Sequence, residues 1–135
     1  MPKPYNQTCP IAQALDIVGD RWTLLIVRDL FLGQRRFSEF LHSSPGIPPK
    51  LLSGRLKRLE KHGLIERVIY SQYPLRAEYR LTEEGLTLAP ILEAMLRWGL
   101  EHCFSGPEEV REAIRQKFAA AASPAPAAET TTAAG

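Results

Sequence analysis

Two cysteines, Cys9 and Cys103, are all that 135 residues contain. That is too few for a disulfide scaffold and too few for a zinc site without other ligands. The three histidines, His42, His62 and His102, stand singly, without the spacing of metal ligands. No glycine-rich phosphate loop occurs, and Ser43-Ser44 sits in turn-like sequence with no neighbouring base. These gaps argue against an enzyme and against a resident metal or cofactor. No apolar run approaches the roughly 18–20 residues that span a membrane. The opening MPKPYNQTCP lacks the apolar centre of a secretion signal, so the cytoplasm is the expected compartment. No internal repeat is visible.

What is present is ordinary in amount and uneven in placement. Hydrophobic residues make up 44% and charged residues 24%, as in a soluble domain, and the length suits one domain with a modest core. The net charge is only +2. Between residues 50 and 82, however, eight basic side chains face three acidic ones, a local net of +5 that leaves −3 for the rest. A basic module on an acidic body is the footprint of a polyanion partner. A solvated charged helix gives the same count, so charge alone does not decide.

Periodicity supplies the elements. Ile11, Ala14, Leu15 and Val18 recur at helical spacing. Asp20 is placed to cap a second helix over residues 21–32, whose wide apolar face (Leu25, Ile26, Val27, Leu30) predicts a central position. Residues 34–36 read as a short edge strand. Ser38 reads as the cap of a short helix that turns Phe37 and Phe40 inward. SSPGIP is a turn, Pro49 suits the first position of the next helix, and Gly63 stops that helix after His62. Residues 64–71 and 77–82 alternate like two strands, with the tip at 72–76. Thr82, Glu83 and Glu84 open a helix that Gly85 weakens and Pro90 breaks or kinks. A long apolar helix follows over 90–103, and an amphipathic one over 107–118. Residues 119–135, rich in Ala, Pro and Thr, read as a disordered tail.

The helix over 49–62 carries the functional signal. Leu52, Leu56 and Leu59 form one stripe, and Lys50, Ser53, Gly54, Lys57 and Lys61 lie opposite, with Arg58 at the margin. Small residues permit close approach and cations meet phosphates, which is what a helix in the DNA major groove needs. Lys50 and Ser53, in the first turns, are the candidate base readers; Lys57, Arg58 and Lys61 are candidate phosphate contacts. Arg55 lies at the stripe's boundary, where pairing with an acid is as open as a DNA contact. In the hairpin, Gln72, Tyr73 and Arg76 suit a minor groove, whose negative potential attracts arginine; the lesser alternative is that Tyr73-Pro74 serves only to set the turn. The expected fold is mainly α with a small β-hairpin, a winged helix-turn-helix.

The order CPI (9–11), GDRWTLLI (19–26), RDL (28–30), Gly33 with RRFSEF (35–40), LLS (51–53) with Arg55-Leu56 and Leu59-Glu60, GLIER (63–67), and Glu78-Tyr79 with Leu81-Thr82 and Gly85 resembles the HxlR family of bacterial transcription regulators, in the MarR-like winged-helix group. The resemblance covers about residues 9–103. It implies a homodimer, with the helix that begins at Pro49 in the major groove and dimerisation through the N-terminal helix and the helix over 90–103. It also implies one domain over 1–118. Two departures stand out. Gly54 replaces a longer polar side chain, which removes a base contact, and the hairpin tip has one proline, Pro74, where relatives often have more.

The 90–103 helix is apolar on more than one side. Ile91, Leu92, Met95 and Gly99 are assigned to the domain, and Leu96, Leu100 and Cys103 to a partner copy, with half-sites about 34–36 Å apart on DNA. Cys9 precedes a helix, where N–H groups and the dipole favour a thiolate, and some family members sense oxidants or electrophiles with a cysteine there. Cys103 would approach Cys9 if both helices share the dimer interface. The expected function is that of a sequence-specific regulator, in the sense of a repressor, responsive to redox state or to a small effector whose site no residue marks. A nonspecific architectural DNA-binding protein and a winged-helix protein-interaction module remain as alternatives.

Overall fold

A computed structural model describes residues 9–122. The chain forms two compact units, one up to Leu88 and one from Ala89. The first contains α1 (Pro10–Val18), α2 (Thr23–Phe31), α3 (Phe37–Ser43), α4 (Pro49–Lys61), β1 (Ile65–Gln72), β2 (Leu75–Leu81) and α5 (Glu83–Leu86). The second contains α6 (Ala89–His102) and α7 (Glu108–Ala122).

The core of the first unit is built where the sequence periodicities converge. Ile26, Val27 and Leu30 of α2, Phe40 of α3, Ile47 of the turn, and the α4 leucines are all buried. Beneath them, Leu64 and Ile65 join α4 to the hairpin. Phe40 meets Tyr79 of β2 edge to face, with centroids 6.3 Å apart. The strands pair antiparallel from Ile65 opposite Leu81 to Gln72 opposite Leu75, with an irregularity between Ile69 and Ser71.

Several boundaries differ from the sequence reading. Residues 34–36 form no strand; the Tyr79 N–H bonds to the Arg35 carbonyl (2.8 Å), and Arg36 pairs with Glu78 of β2 (3.6 Å). Ser38 lies inside α3, and the cap comes from Glu39, whose carboxylate accepts the N–H groups of Arg35 (2.7 Å) and Arg36 (3.0 Å). The hairpin tip is shorter than 72–76: Gln72 ends β1, Arg76 pairs with Ser71, and only Tyr73 and Pro74, joined by a cis bond, turn the chain. Pro90 does mark the break, but it occupies the first turn of α6, where a missing N–H costs nothing.

In the second unit, Leu96 and Leu100 of α6 face Phe118 and Ala119 of α7 across a cavity of about 440 Å³, and Leu100 is buried. The assignment of α6 faces is therefore overturned in part: Leu100, given to a partner, is buried, and Ile91 and Met95, given to the domain, are exposed, whereas Leu92 and Gly99 are half-buried and Cys103 is exposed. Helix α7 runs to Ala122, past the predicted end at 118. The remainder of the proposed tail lies outside the described residues.

Candidate nucleic-acid interface

The turn into α4 is fixed from both sides. Gly46 adopts a φ of +98°, a left-handed conformation that favours glycine, and the Ile47 N–H bonds to the Ser44 carbonyl (3.1 Å). Ahead of the turn, the carboxylate of fully buried Asp29 accepts from Ser43 Oγ (2.7 Å) and from Arg28 Nε (2.9 Å) and Nη2 (2.8 Å), which ties α2 to the end of α3. Pro48 caps α4 and Pro49 opens it. At the far end Gly63, with φ +76°, closes the helix, and the Leu64 N–H reaches back to the Leu59 carbonyl (3.0 Å). The wing is anchored at that point: Thr82 Oγ1 donates to the Gly63 carbonyl (2.6 Å) and accepts from the Gly85 N–H (3.1 Å).

Helix α4 is thus held by one face. Leu52, Leu56 and Leu59 are at most 1% exposed. Pro49, Lys50, Gly54, Lys57 and Lys61 are exposed and Ser53 is half-buried. The three lysines make no ion pair among the described residues. A Cβ built on Gly54 meets nothing within 4 Å, so nothing in the chain requires glycine there. On the wing, Gln72, Tyr73 and Arg76 are exposed, Tyr73 to 96%. Arg80 pairs with Glu66 across the strands (2.8 Å), and Arg67 stays exposed.

Arg55 and Arg58 behave differently from the lysines. Arg55 Nε lies 2.8 Å from Asp20 Oδ2, and Arg58 Nη1 lies 4.0 Å from Oδ1. Arg58 Nη2 also donates to the backbone carbonyl of Asp16 near the end of α1. Of the two roles open to Arg55 in the sequence, pairing with an acid is the one the geometry displays. Asp20 also accepts from the Trp22 N–H (3.1 Å) and from Thr23 Oγ1, but it is not the helix cap the sequence suggests: α2 begins at Thr23 with Trp22 in the cap position, two residues further on. Burial is the largest single influence on its carboxyl and pushes the pKa up. Hydrogen bonds from Thr23, Arg55 and the Trp22 N–H, with the Arg55 charge, outweigh burial and hold the group below the ordinary value. Periodicity could not find this contact, because the partners are 35 residues apart.

Cys9 and Cys103 are both exposed and unpaired in a disulfide. Helix α1 exposes Ile11 (73%) and Leu15 (47%) and buries only Val18. Among the described residues no helix is long and apolar enough to cross a membrane.

A helix-turn-helix with a basic outward face, followed by a two-stranded wing, defines the class: a winged-helix DNA-binding regulator. The HxlR-like helix-turn-helix family model matches residues 17–106. An HTH-type transcriptional regulator of Synechocystis sp., sll1512, is 43% identical over 91 residues, 67% of each chain. A regulator of the same type from Mycobacterium bovis, Mb3122, is 48% identical over 92 residues, 68% of this chain and 58% of its own length. The match thus spans little more than half of the mycobacterial relative. The redox regulator HypR in its oxidized form superposes with a TM-score of 0.67 at 36% identity, over 72% of this chain and all of that one. The chain belongs to the HxlR family of helix-turn-helix transcriptional regulators.

Proposed function

We propose that the protein is a sequence-specific, homodimeric transcriptional repressor in the cytoplasm, whose DNA affinity responds to oxidation at Cys9. The observation that carries the reading is the two-sidedness of α4: leucines buried on one face, and Lys50, Gly54, Lys57 and Lys61 exposed on the other. In this reading α4 lies in the major groove, where Lys50 and Ser53 reach base edges and Pro49 and Gly54 permit close approach. Lys57 and Lys61 meet phosphates, and Gln72, Tyr73 and Arg76 of the wing enter the adjacent minor groove. A second copy covers the apolar residues that α1 and α6 expose, which include Ile11, Leu15, Met95 and Trp98. Such a dimer, seated on half-sites one turn apart, blocks a promoter it covers.

The redox element is supported by the exposure of Cys9 at the start of α1 and by the likeness to a redox regulator. The test is selection of bound sequences from a random DNA pool, with reduced and with peroxide- or quinone-treated protein. A two-fold symmetric site, bound differently after oxidation by the wild type and equally by Cys9→Ser, is the expected result. Recovery of no preferred sequence would instead make it a nonspecific, architectural DNA-binding protein, and failure to retain DNA would make the module a protein-interaction surface. Identical selection and affinity in both redox states would remove the sensing role.

A further inference from the structure

We propose that Asp20 sets the sequence selectivity of α4 by withholding Arg55 and Arg58 from the DNA phosphates. The inference rests on the reading that α4 lies in the major groove. Helix α4 carries five cations, Lys50, Arg55, Lys57, Arg58 and Lys61. Left free, all five would add to the sequence-independent attraction for a duplex, and the two arginines would add most, since a guanidinium can grip a phosphate with two parallel bonds. The structure divides them. The lysines are exposed, whereas the guanidinium of Arg55 is docked on Asp20 at 2.8 Å and that of Arg58 lies at 4.0 Å from the same carboxylate.

Asp20 is well placed for this work. Its side chain is itself only 23% exposed and is locked at the start of α2 by the Trp22 N–H and the Thr23 hydroxyl. Thr23 is buried, which fixes the hydroxyl that donates to the carboxylate. Arg55 reaches Oδ2 from the margin of the leucine stripe, and Arg58, at the margin of the lysine face, lies 4.0 Å from Oδ1. One carboxylate therefore offsets one of the two positive charges and, together with the Asp16 carbonyl that accepts from Arg58 Nη2, keeps both guanidiniums engaged within the chain. Free guanidiniums would also grip phosphates in registers where Lys50 and Ser53 meet no base edge, so holding them back weakens those nonspecific registers more than the specific one.

The salt dependence of binding reads this directly, because each cation that meets a phosphate adds about 0.9 to the slope of log K against log salt. The full-length wild type, Asp20→Asn, Arg55→Gln and Lys57→Gln proteins are titrated onto the selected duplex and onto a random duplex across a range of salt. Asp20→Asn drops the charge; its one carbonyl oxygen can still accept the Trp22 N–H, and its amide N–H can donate to the Thr23 hydroxyl in place of the native bond. It should bind random DNA more tightly, with a slope steeper by about 0.9 to 1.8 per chain as one or both arginines reach phosphates, and should lose discrimination between the two duplexes. Arg55→Gln should leave the slope unchanged. The proposal is overturned if Asp20→Asn, folded by circular dichroism, keeps the wild-type slope and discrimination, as a purely structural residue would. It is equally overturned if Arg55→Gln lowers the slope by about 0.9, since Arg55 would then already lie on a phosphate. The Arg55→Gln arm decides the matter even if Asp20→Asn does not fold. An unchanged slope in Lys57→Gln would instead contradict the placement of α4 in the groove.

Discussion

One glycine and one carboxylate show how single residues divide between fold and function. Gly54 lies in the interior of α4, where glycine is about 0.5–1 kcal/mol worse than alanine, and a Cβ there touches nothing. Gly54→Ala should therefore raise the denaturant midpoint by about that stability while weakening DNA binding, because the added methyl projects from the exposed face. Equal gains in stability and affinity would show that the position does not approach DNA. Asp20 adds a pH signature. Its folded pKa lies below the ordinary 3.8, so its contribution to stability is complete above the unfolded value and is lost as pH falls through the folded one. The stability difference between wild type and Asp20→Asn should be constant from about pH 7 to 5 and shrink towards pH 2. A constant difference throughout would show that the charge does not matter. Only half of this was legible in the sequence. Asp20 reads as a cap from its neighbours, but its grip on Arg55 is a long-range contact that no local pattern contains.

At the level of elements, α4 was the easiest to read because one strong period fixes its face: three leucines at helical spacing go inward and the rest follow. Helix α5 shows the opposite case. Gly85 looks like a weak point in a helix, yet a Cβ there would lie 2.0 Å from the Leu64 carbonyl oxygen. It is the close approach that lets the Thr82 N–H bond to that same carbonyl at 3.1 Å. Gly85→Ala should thus destabilise, by on the order of 1–3 kcal/mol or more through the forced backbone shift, opposite in sign to Gly54→Ala and measurable by the same unfolding curves. Helix α6 was legible as an element but not in orientation. Several apolar stripes satisfy the periodicity equally, and the packing of Leu96 and Leu100 towards Phe118 of α7, itself beyond the family match, decides which face is inside. The shortened wing tip has a similar cause: cross-strand pairing of Ser71 with Arg76 extends strands whose alternation fades.

Across the whole molecule, a +5 segment in a chain of net +2 and two exposed apolar helix faces both fit the proposal of a basic reading surface presented twice by a dimer. Met95 is 55% exposed on α6, and Met95→Glu should place a charge in the partner contact and shift sedimentation from dimer to monomer at micromolar concentration, with the helical content unchanged. A wild type that sediments as a monomer would contradict the dimer outright. The central claim is that α4 reads DNA, and it divides labour within one helix. Binding of Lys50→Ala and Lys57→Ala to the selected site and to single-base variants of it tests that division most directly. The account predicts that Lys50→Ala relaxes preference at particular base pairs, by about 1–3 kcal/mol each, and that Lys57→Ala weakens all sequences alike with a slope shallower by about 0.9 per chain. If both variants keep the wild-type preference and salt slope, α4 is not the reading element.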